Sequence, residues 1–331
     1  MLHRRDFIKY SALGAFYPLA AGCRSPVRWQ PAAFRRKDFS RVAVLTAQSY
    51  DRPLKDVILR GLKLCNLDVK GKNILLKPNL VEYDPKGVIN THPAVIEAAI
   101  DSFRSLGAAQ VTVAEGPGHR RDNEYLLTAS GLYDVIKEHR VRYVDLNSDD
   151  VRATPLRSNF TNLRQLYLPQ QLYSADLLVS MPKLKTHHWA GVTLSLKNMF
   201  GVVPGMIYGW PKNILHWQGI HQSILDINSS LPLPQFAIID GIVGMEGNGP
   251  LQGQAKASGV LIFGEDLVAV DATAARVMQI DPRKIRYLAD AGEFLGNLAA
   301  GNIEQAGERI DQVRQDFQVI EDFKDLKTFS A

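Results

Sequence analysis

Residues 72–116, KNILLKPNLVEYDPKGVINTHPAVIEAAIDSFRSLGAAQVTVAEG, decide how this chain folds. KNILLKPN (72–79) is an apolar run of strand length, and PAVIEAAIDSFRSLG (93–107) carries helical spacing from a leading proline to a closing glycine. AQVTVAEG (109–116) is a strand again. Two strands joined by a helix of that length make a right-handed parallel crossover.

The same rhythm extends both ways. RVAVLTA (41–47) reads as a strand and PLKDVILRGLKLC (53–65) as an amphipathic helix. After residue 116 come helical patterns at NEYLLTASG and LYDVIKEH and the strand VRYVDL (141–146). Residues 151–174 break the pattern and read as a hairpin insertion. ADLLVSMP (175–182), FAIIDG (236–241) and GVLIFG (259–264) read as strands, with helices at HQSILDINSS and at DLVAVDATAARVMQ, the latter capped by Asp266. The expected class is α/β: a mainly parallel, Rossmann-like sheet with helices on both faces and a small hairpin insertion.

The 331 residues, 46% hydrophobic and 22% charged, can bury a substantial core. The formal charge of +5 is concentrated at one end, where residues 24–41 hold Arg24, Arg28, Arg35, Arg36, Lys37 and Arg41 against Asp38. A nucleic-acid groove spreads its basic residues over a folded face, so nucleic acid is not an expected partner.

The opening MLHRRDFIKYSALGAFYPLAAGC has a twin arginine at Arg4 and Arg5, a modest apolar stretch and small residues before Cys23. It reads as a twin-arginine export signal over residues 1–22, and LAAGC resembles the lipobox of a bacterial lipoprotein, with lipidation at Cys23; simple cleavage near Ala21 is the alternative. Residues 23–40 then read as a lipidated basic linker and 41–331 as the folded domain, giving a periplasmic or cell-envelope lipoprotein held to the membrane by its lipid. Cys23 and Cys65 are the only cysteines, so one mature chain is not expected to hold an iron–sulfur cluster. Cys65 reads as core.

The unusual chemistry lies in the segments that leave the strands: KPNLVEYDPKGVINTHP, EGPGHRRD, KLKTHHWAG and DGIVGMEGNGPLQG. In an open parallel sheet such segments share the carboxyl edge, where ligands bind. Pro182 is expected to end the strand before KLKTHHWAG, so that this run surfaces as a loop. Lys77, Asn79, Arg120, Lys183, Lys185 and Asn198 suit an anionic substrate such as a carboxylate or phosphate. Lys77 and Lys183 read equally well as surface lysines snorkelling from strand ends. Two loop histidines, His119 and His187, could act as bases on opposite faces of a substrate, and Lys197 as nucleophile or cofactor anchor. His188 and Trp189 read as packing or a substrate shelf, Asp240, Glu246 and Asn248 as shaping a Gly-rich turn, and His92 as a helix-entry residue.

KPN (77–79), THP (91–93), EGPG (115–118), PKLKTH (182–187), GVTLSLKNMFG (191–201) and GNGP (247–250) together resemble domain-of-unknown-function family 362 over roughly residues 41–300. Members of that family often carry ferredoxin-type modules, and the cysteine-rich module is absent here. GHRRDNEYLLTASG and HHWAGVTLSLKNMFGVVPG more distantly resemble segments of the nickel-pincer lactate racemases. That resemblance implies acid/base roles for His119 and His187, a cofactor anchor at Lys197 and a metal ligand at His216, and hence a metal or organometallic cofactor. Leu194 and Ser195 depart from it, standing where the racemases have glycines, and His92 replaces an arginine.

The expected function is an exported, cofactor-dependent enzyme of racemase, epimerase or oxidoreductase type, acting on a small anionic substrate by histidine acid/base chemistry. The alternative is a non-catalytic lipoprotein that binds an anionic ligand or assists a redox partner protein.

Overall fold

A computed structural model describes residues 27–118 and 122–329. The signal segment, Cys23, His119 and Arg120 therefore lie outside the described residues.

Twelve strands form among the described residues: β1 (Ser40–Thr46), β2 (Asn73–Pro78), β3 (Gln110–Glu115), β4 (Arg142–Asp145), β5 (Val151–Pro155), β6 (Gln165–Pro169), β7 (Leu177–Met181), β8 (Lys183–His187), β9 (Gly191–Thr193), β10 (Gln235–Glu246), β11 (Gln254–Gly264) and β12 (Ile303–Gly307). The main sheet runs β12-β1-β11-β10-β7-β2-β3-β4, with β8 paired to β10 and β9 to β8. From β10 to β4 and between β1 and β12 the pairings are parallel. β11 runs antiparallel to both β1 and β10, because the short connection 247–253 can turn a hairpin but cannot hold a crossover helix. The mainly parallel sheet read from the sequence is thus present, with β11 reversed inside it and the short β9 reversed against β8.

Why these strands read as near-continuous apolar runs is visible in their two faces. In β2, Ile74 and Leu76 join one core while Leu75 joins the other; in β11, Leu261 and Phe263 face the first, and Val260 and Ile262 the second. Each face is covered, so polar alternation disappears. Helices Lys55–Leu64, Pro93–Ser105, Asn123–Ala129 and Leu132–Glu138 contribute buried residues to one core, and Ile220–Ser230 and Leu267–Val277 to the other. Asp266 caps the last of these by accepting from the Val268 and Ala269 amides at 2.9 and 3.1 Å. His92 likewise accepts from the Ala94 amide at 3.2 Å, as a helix-entry residue should. Residues 151–174 do contain the hairpin β5–β6. Cys65 is a buried free thiol, as expected of a core cysteine.

Two expectations need correction. KLKTHHWAG is no surface loop: after Pro182 the chain re-enters the sheet as β8, turns at 188–190 and returns as β9. Every residue of β8 is buried, with Asp240 of β10 in register with Lys183. Of the linker read over residues 23–40, the described part from Val27 onward docks on the body. Trp29 bridges Ser158 and stacks on Phe294 at 4.7 Å, Phe34 meets the same ring edge-on at 4.9 Å, and Lys37 pairs with Glu265 at 2.8 Å. The aromatics supply enough apolar contact to hold a segment whose charges alone look like a tether. Among the described residues no helix is long and apolar enough to cross a membrane.

Candidate active site at the carboxyl edge of the sheet

Lys77 and Glu115 end neighbouring parallel strands, and their side chains meet: Lys77 Nζ lies 2.8 Å from Glu115 Oε2, with both residues buried. Glu115 also accepts from the Leu80 and Gly116 amides at 3.1 and 2.9 Å. Lys77 donates further to Pro78 O and to Asn198 Oδ1, each at 3.1 Å. The Asn198 amide in turn donates to Lys77 O and Ser180 Oγ. Gly201 packs directly on this pair, where a Cβ would collide with Glu115 Oε1 and Lys77 Nζ. A glycine is therefore required by close approach at this point.

Around the pair opens a cavity of about 250 Å³. Its walls bring together Lys77, Lys185, Lys197 and Lys212, the imidazoles of His187, His188 and His216, and Glu115, the one carboxylate among its described lining residues. The predominance of positive groups suits an anion.

The lysines differ in what holds them. Lys185 Nζ donates to Ile89 O at 2.9 Å, and Lys212 Nζ to Gly116 O and Val203 O at 2.8 and 2.6 Å. Lys197 makes no hydrogen bond or ion pair among the described residues; its Nζ rests 4.3 Å from the centre of the Phe200 ring. Burial and then the neighbouring lysines depress these amines: Lys185 falls well below its ordinary value, Lys197 to about 8 and, with Glu115 pulling the other way, Lys212 to about 7.

Lys212 is a functional-site residue that sequence reasoning missed. It sits in left-handed backbone (φ 69°), which a residue with a side chain adopts at a cost of about 1–2 kcal/mol. Its depressed amine makes a prediction. Between pH 7 and 10.5 the native state binds fewer protons at Lys212 than the unfolded chain, so this group's contribution to stability grows as pH rises through that window and is lost as pH falls. Lys212→Met should remove a slope of at most about 1.4 kcal/mol per pH unit. Urea unfolding at pH 7, 8 and 9 measures it, and equal slopes for the two proteins contradict it.

The imidazoles also divide, by tautomer. The backbone amides of Trp189 and Ala190 donate to His187 Nδ1 at 3.0 and 3.2 Å, so the neutral ring carries its proton on Nε2. Burial, followed by Lys197, holds this histidine well below the usual range, so it is a neutral N–H donor and a poor base. His188 is reversed: Nδ1 lies 2.7 Å from Gly249 O and must donate, leaving a lone pair on Nε2. His216 does the same toward Lys212 O at 3.1 Å. The base-competent nitrogens belong to His188 and His216, with Trp189 packed between them at 4.9 and 5.5 Å.

The segment carrying Lys197 and Asn198 is fixed from behind. Asp271, fully buried, accepts from the Ser195 and Leu196 amides at 2.7 and 3.0 Å and from the Ser195 hydroxyl, so Ser195 and Leu194 are turned away into the core. Burial raises the Asp271 carboxyl to about 7.

Several assignments change. Lys183 does not line the cavity: its amine is taken by Asp240 at 2.6 Å and the Tyr50 hydroxyl at 2.9 Å. Asp240, inside β10 and not in a turn, neutralises a buried lysine, and His92 stacks on Tyr50 with ring centres 3.8 Å apart. Neither Lys77 nor Lys183 snorkels to the surface. Asn198 orients Lys77, and its amide is consumed in doing so. Asn79 remains available: among the described residues its side chain makes no hydrogen bond, and Oδ1 is buried without a partner. Thr193 Oγ1, also on the wall, is in the same condition. His188 and Trp189 do line the cavity, Trp189 at its exposed side.

Comparison with known proteins adds a family. The Thylakoid-associated protein sll1697 of Synechocystis is 29% identical over 272 residues, covering 77% of this chain and 79% of its own. Among solved structures, the lactate racemase apoprotein from Thermoanaerobacterium thermosaccharolyticum aligns with a TM-score of 0.41 and 16% identity; the match covers 69% of this chain but 55% of the racemase. Residues 74–276 match the family described as "Domain of unknown function (DUF362)". That span holds β2 to β11 with every strand end that lines the cavity, and the chain belongs to the DUF362 family.

Proposed function

We propose that the cavity is an active site that binds a small anionic molecule, a carboxylate above all, and moves a proton at it, as racemases, epimerases and many oxidoreductases do. One observation carries this reading: a single small cavity collects an unpaired amine, two imidazoles with free Nε2 lone pairs and a third that offers an N–H. Groups able to accept and donate protons near neutral pH, in a largely apolar pocket, are what general acid/base work requires. On the tautomers the base roles go to His188 and His216, while His187 polarises the ligand through Nε2–H; His119 lies outside the described residues.

A bare metal ion does not fit these walls. Among the described residues no group of three or more His, Cys, Asp or Glu could hold one. A group that brings its own metal ligands would find two protein donors, the Lys197 amine and His216 Nε2, and could supply hydride or electron chemistry when bound. The protein's own part is the same in either case: to attract the anion, orient it against His187 and accept a proton at Nε2 of His188 or His216.

The test is solvent exchange. The purified chain in D2O, offered pyruvate, D-lactate, L-lactate or L-malate, should be thermally stabilised by at least one of them and should wash deuterium into it, followed by proton NMR. Stabilisation without exchange would leave the non-catalytic anion-binding lipoprotein as the reading.

The proposal includes export and anchoring, supported by RRDFIK and LAAGC. The Synechocystis relative is named a thylakoid-associated protein. Cys23→Ser should release the chain from the membrane fraction, and an equally membrane-bound variant argues against the lipid.

A further inference from the structure

We propose that Lys197 captures the carbonyl carbon of a small 2-oxo acid as an imine. This deepens the reading above and rests on it, since the acid's carboxylate must first be drawn into the cavity. The inference begins with which amine is free. Lys77 is held by Glu115, Pro78 O and Asn198, Lys185 by Ile89 O, and Lys212 by two carbonyls. Among the described residues Lys197 alone of the four makes no hydrogen bond or ion pair and rests on an aromatic face, so no acceptor ties its N–H groups down.

The surrounding groups complete a site for such a ligand. Asn79 Oδ1 and Thr193 Oγ1 are buried on the same wall and lack partners, and each unsatisfied group costs about 1–3 kcal/mol until something bonds to it. A 2-oxo acid offers carboxylate oxygens to the Thr193 hydroxyl and the Asn79 amide NH2, and its carbinolamine hydroxyl can donate to Asn79 Oδ1. The His216 ring packs against Phe200, as the Lys197 amine does, at 5.2 Å between ring centres. Both groups line the same cavity, and His216 Nε2 is the proton acceptor assigned to the reacting nitrogen.

The step balances without an outside oxidant or reductant. The Lys197 lone pair forms the C–N bond, the carbonyl π electrons move to oxygen, and that oxygen takes a proton from solvent to give a carbinolamine. The nitrogen yields a proton to Nε2 of His216, the hydroxyl leaves as water after protonation, and a C=N bond replaces C=O. Protonated at nitrogen, the imine acidifies the C–H bonds next to it, which for pyruvate are those of the C3 methyl group, where deuterium would wash in.

Reductive trapping tests this. The full chain is incubated with pyruvate and sodium borohydride, then read by intact mass and peptide mapping, with a mass taken before pyruvate is added. The expected result is one reduced pyruvate per chain at Lys197, absent from Lys197→Arg and Lys197→Met, whose folding is checked by thermal melting. Equal labelling of either variant, no adduct on the wild type, or a group already joined to Lys197 in the purified chain overturns the proposal. Thermal stabilisation by pyruvate without an adduct sinks the imine alone; loss of both stabilisation and adduct sinks the anion-site reading with it.

Discussion

Alanine at His188 or at His216 should each lower the rate of deuterium wash-in by ~10² to 10⁴-fold, with melting temperature little changed. The argument is the direction of the ring protons. In both residues Nδ1 faces a backbone carbonyl, Gly249 O or Lys212 O, and must hold its hydrogen, so Nε2 is the basic atom. Burial and then the Lys197 charge lower the His216 value, which keeps that lone pair available at neutral pH. The rate through His216 should therefore be level near neutrality and fall only as pH drops through this lowered value, below 6.5. His187→Ala should behave differently: the ring offers Nε2–H, so its loss weakens ligand binding and raises KM more than it lowers kcat. If His187→Ala abolishes kcat while His188→Ala and His216→Ala are unaffected, the tautomer argument is wrong.

How far the sequence discloses this site depends on where each residue's partners lie. The strands and helices were legible because both faces of the sheet are covered, which writes long apolar runs into β2, β7, β10 and β11. The carboxyl edge as the place of chemistry followed from that topology, and His187, Lys197, His216 and Asn79 do converge there. From sequence β8 reads as a loop because Pro182 closes the apolar run before it, and the two lysines of KLKTH do not argue otherwise, since lysines seldom enter a sheet interior. What admits them is Asp240 and Tyr50 around Lys183 and Ile89 O above Lys185, all distant in sequence. Glu115 ends a strand in the quoted EGPG, yet nothing local says that it faces Lys77. Lys212 has no sequence signal of its own; only the fold brings it onto Gly116 O. The docking of residues 27–40 was hidden because arginines and proline suggest a tether, while Trp29 and Phe34 supply the contact.

Removing the Glu115 carboxylate should weaken the fold and tighten anion binding at once. Glu115→Ala leaves the Lys77 ammonium buried against Pro78 O and Asn198 Oδ1 alone, and breaking a buried pair from one side costs about 3–5 kcal/mol. It also strips acceptors from the Leu80 and Gly116 amides, which adds to the loss. Lys77 responds in a definite direction. Burial already lowers its amine, and without Glu115, the group that opposes this, the amine falls further. The penalty should accordingly shrink at higher pH, where the amine sheds its proton. Urea unfolding at two pH values measures that change. Lys77→Met with Glu115→Leu replaces both charges by apolar groups and should recover most of the stability, a non-additivity that a double-mutant cycle reads directly. Binding moves the other way, because Glu115 is the carboxylate that offsets the amines lining the cavity. If Glu115→Ala costs less than about 1 kcal/mol, the pair is not holding β2 to β3 at their carboxyl ends. If it loses stability and anion affinity together, Glu115 is shaping the cavity rather than moderating its charge.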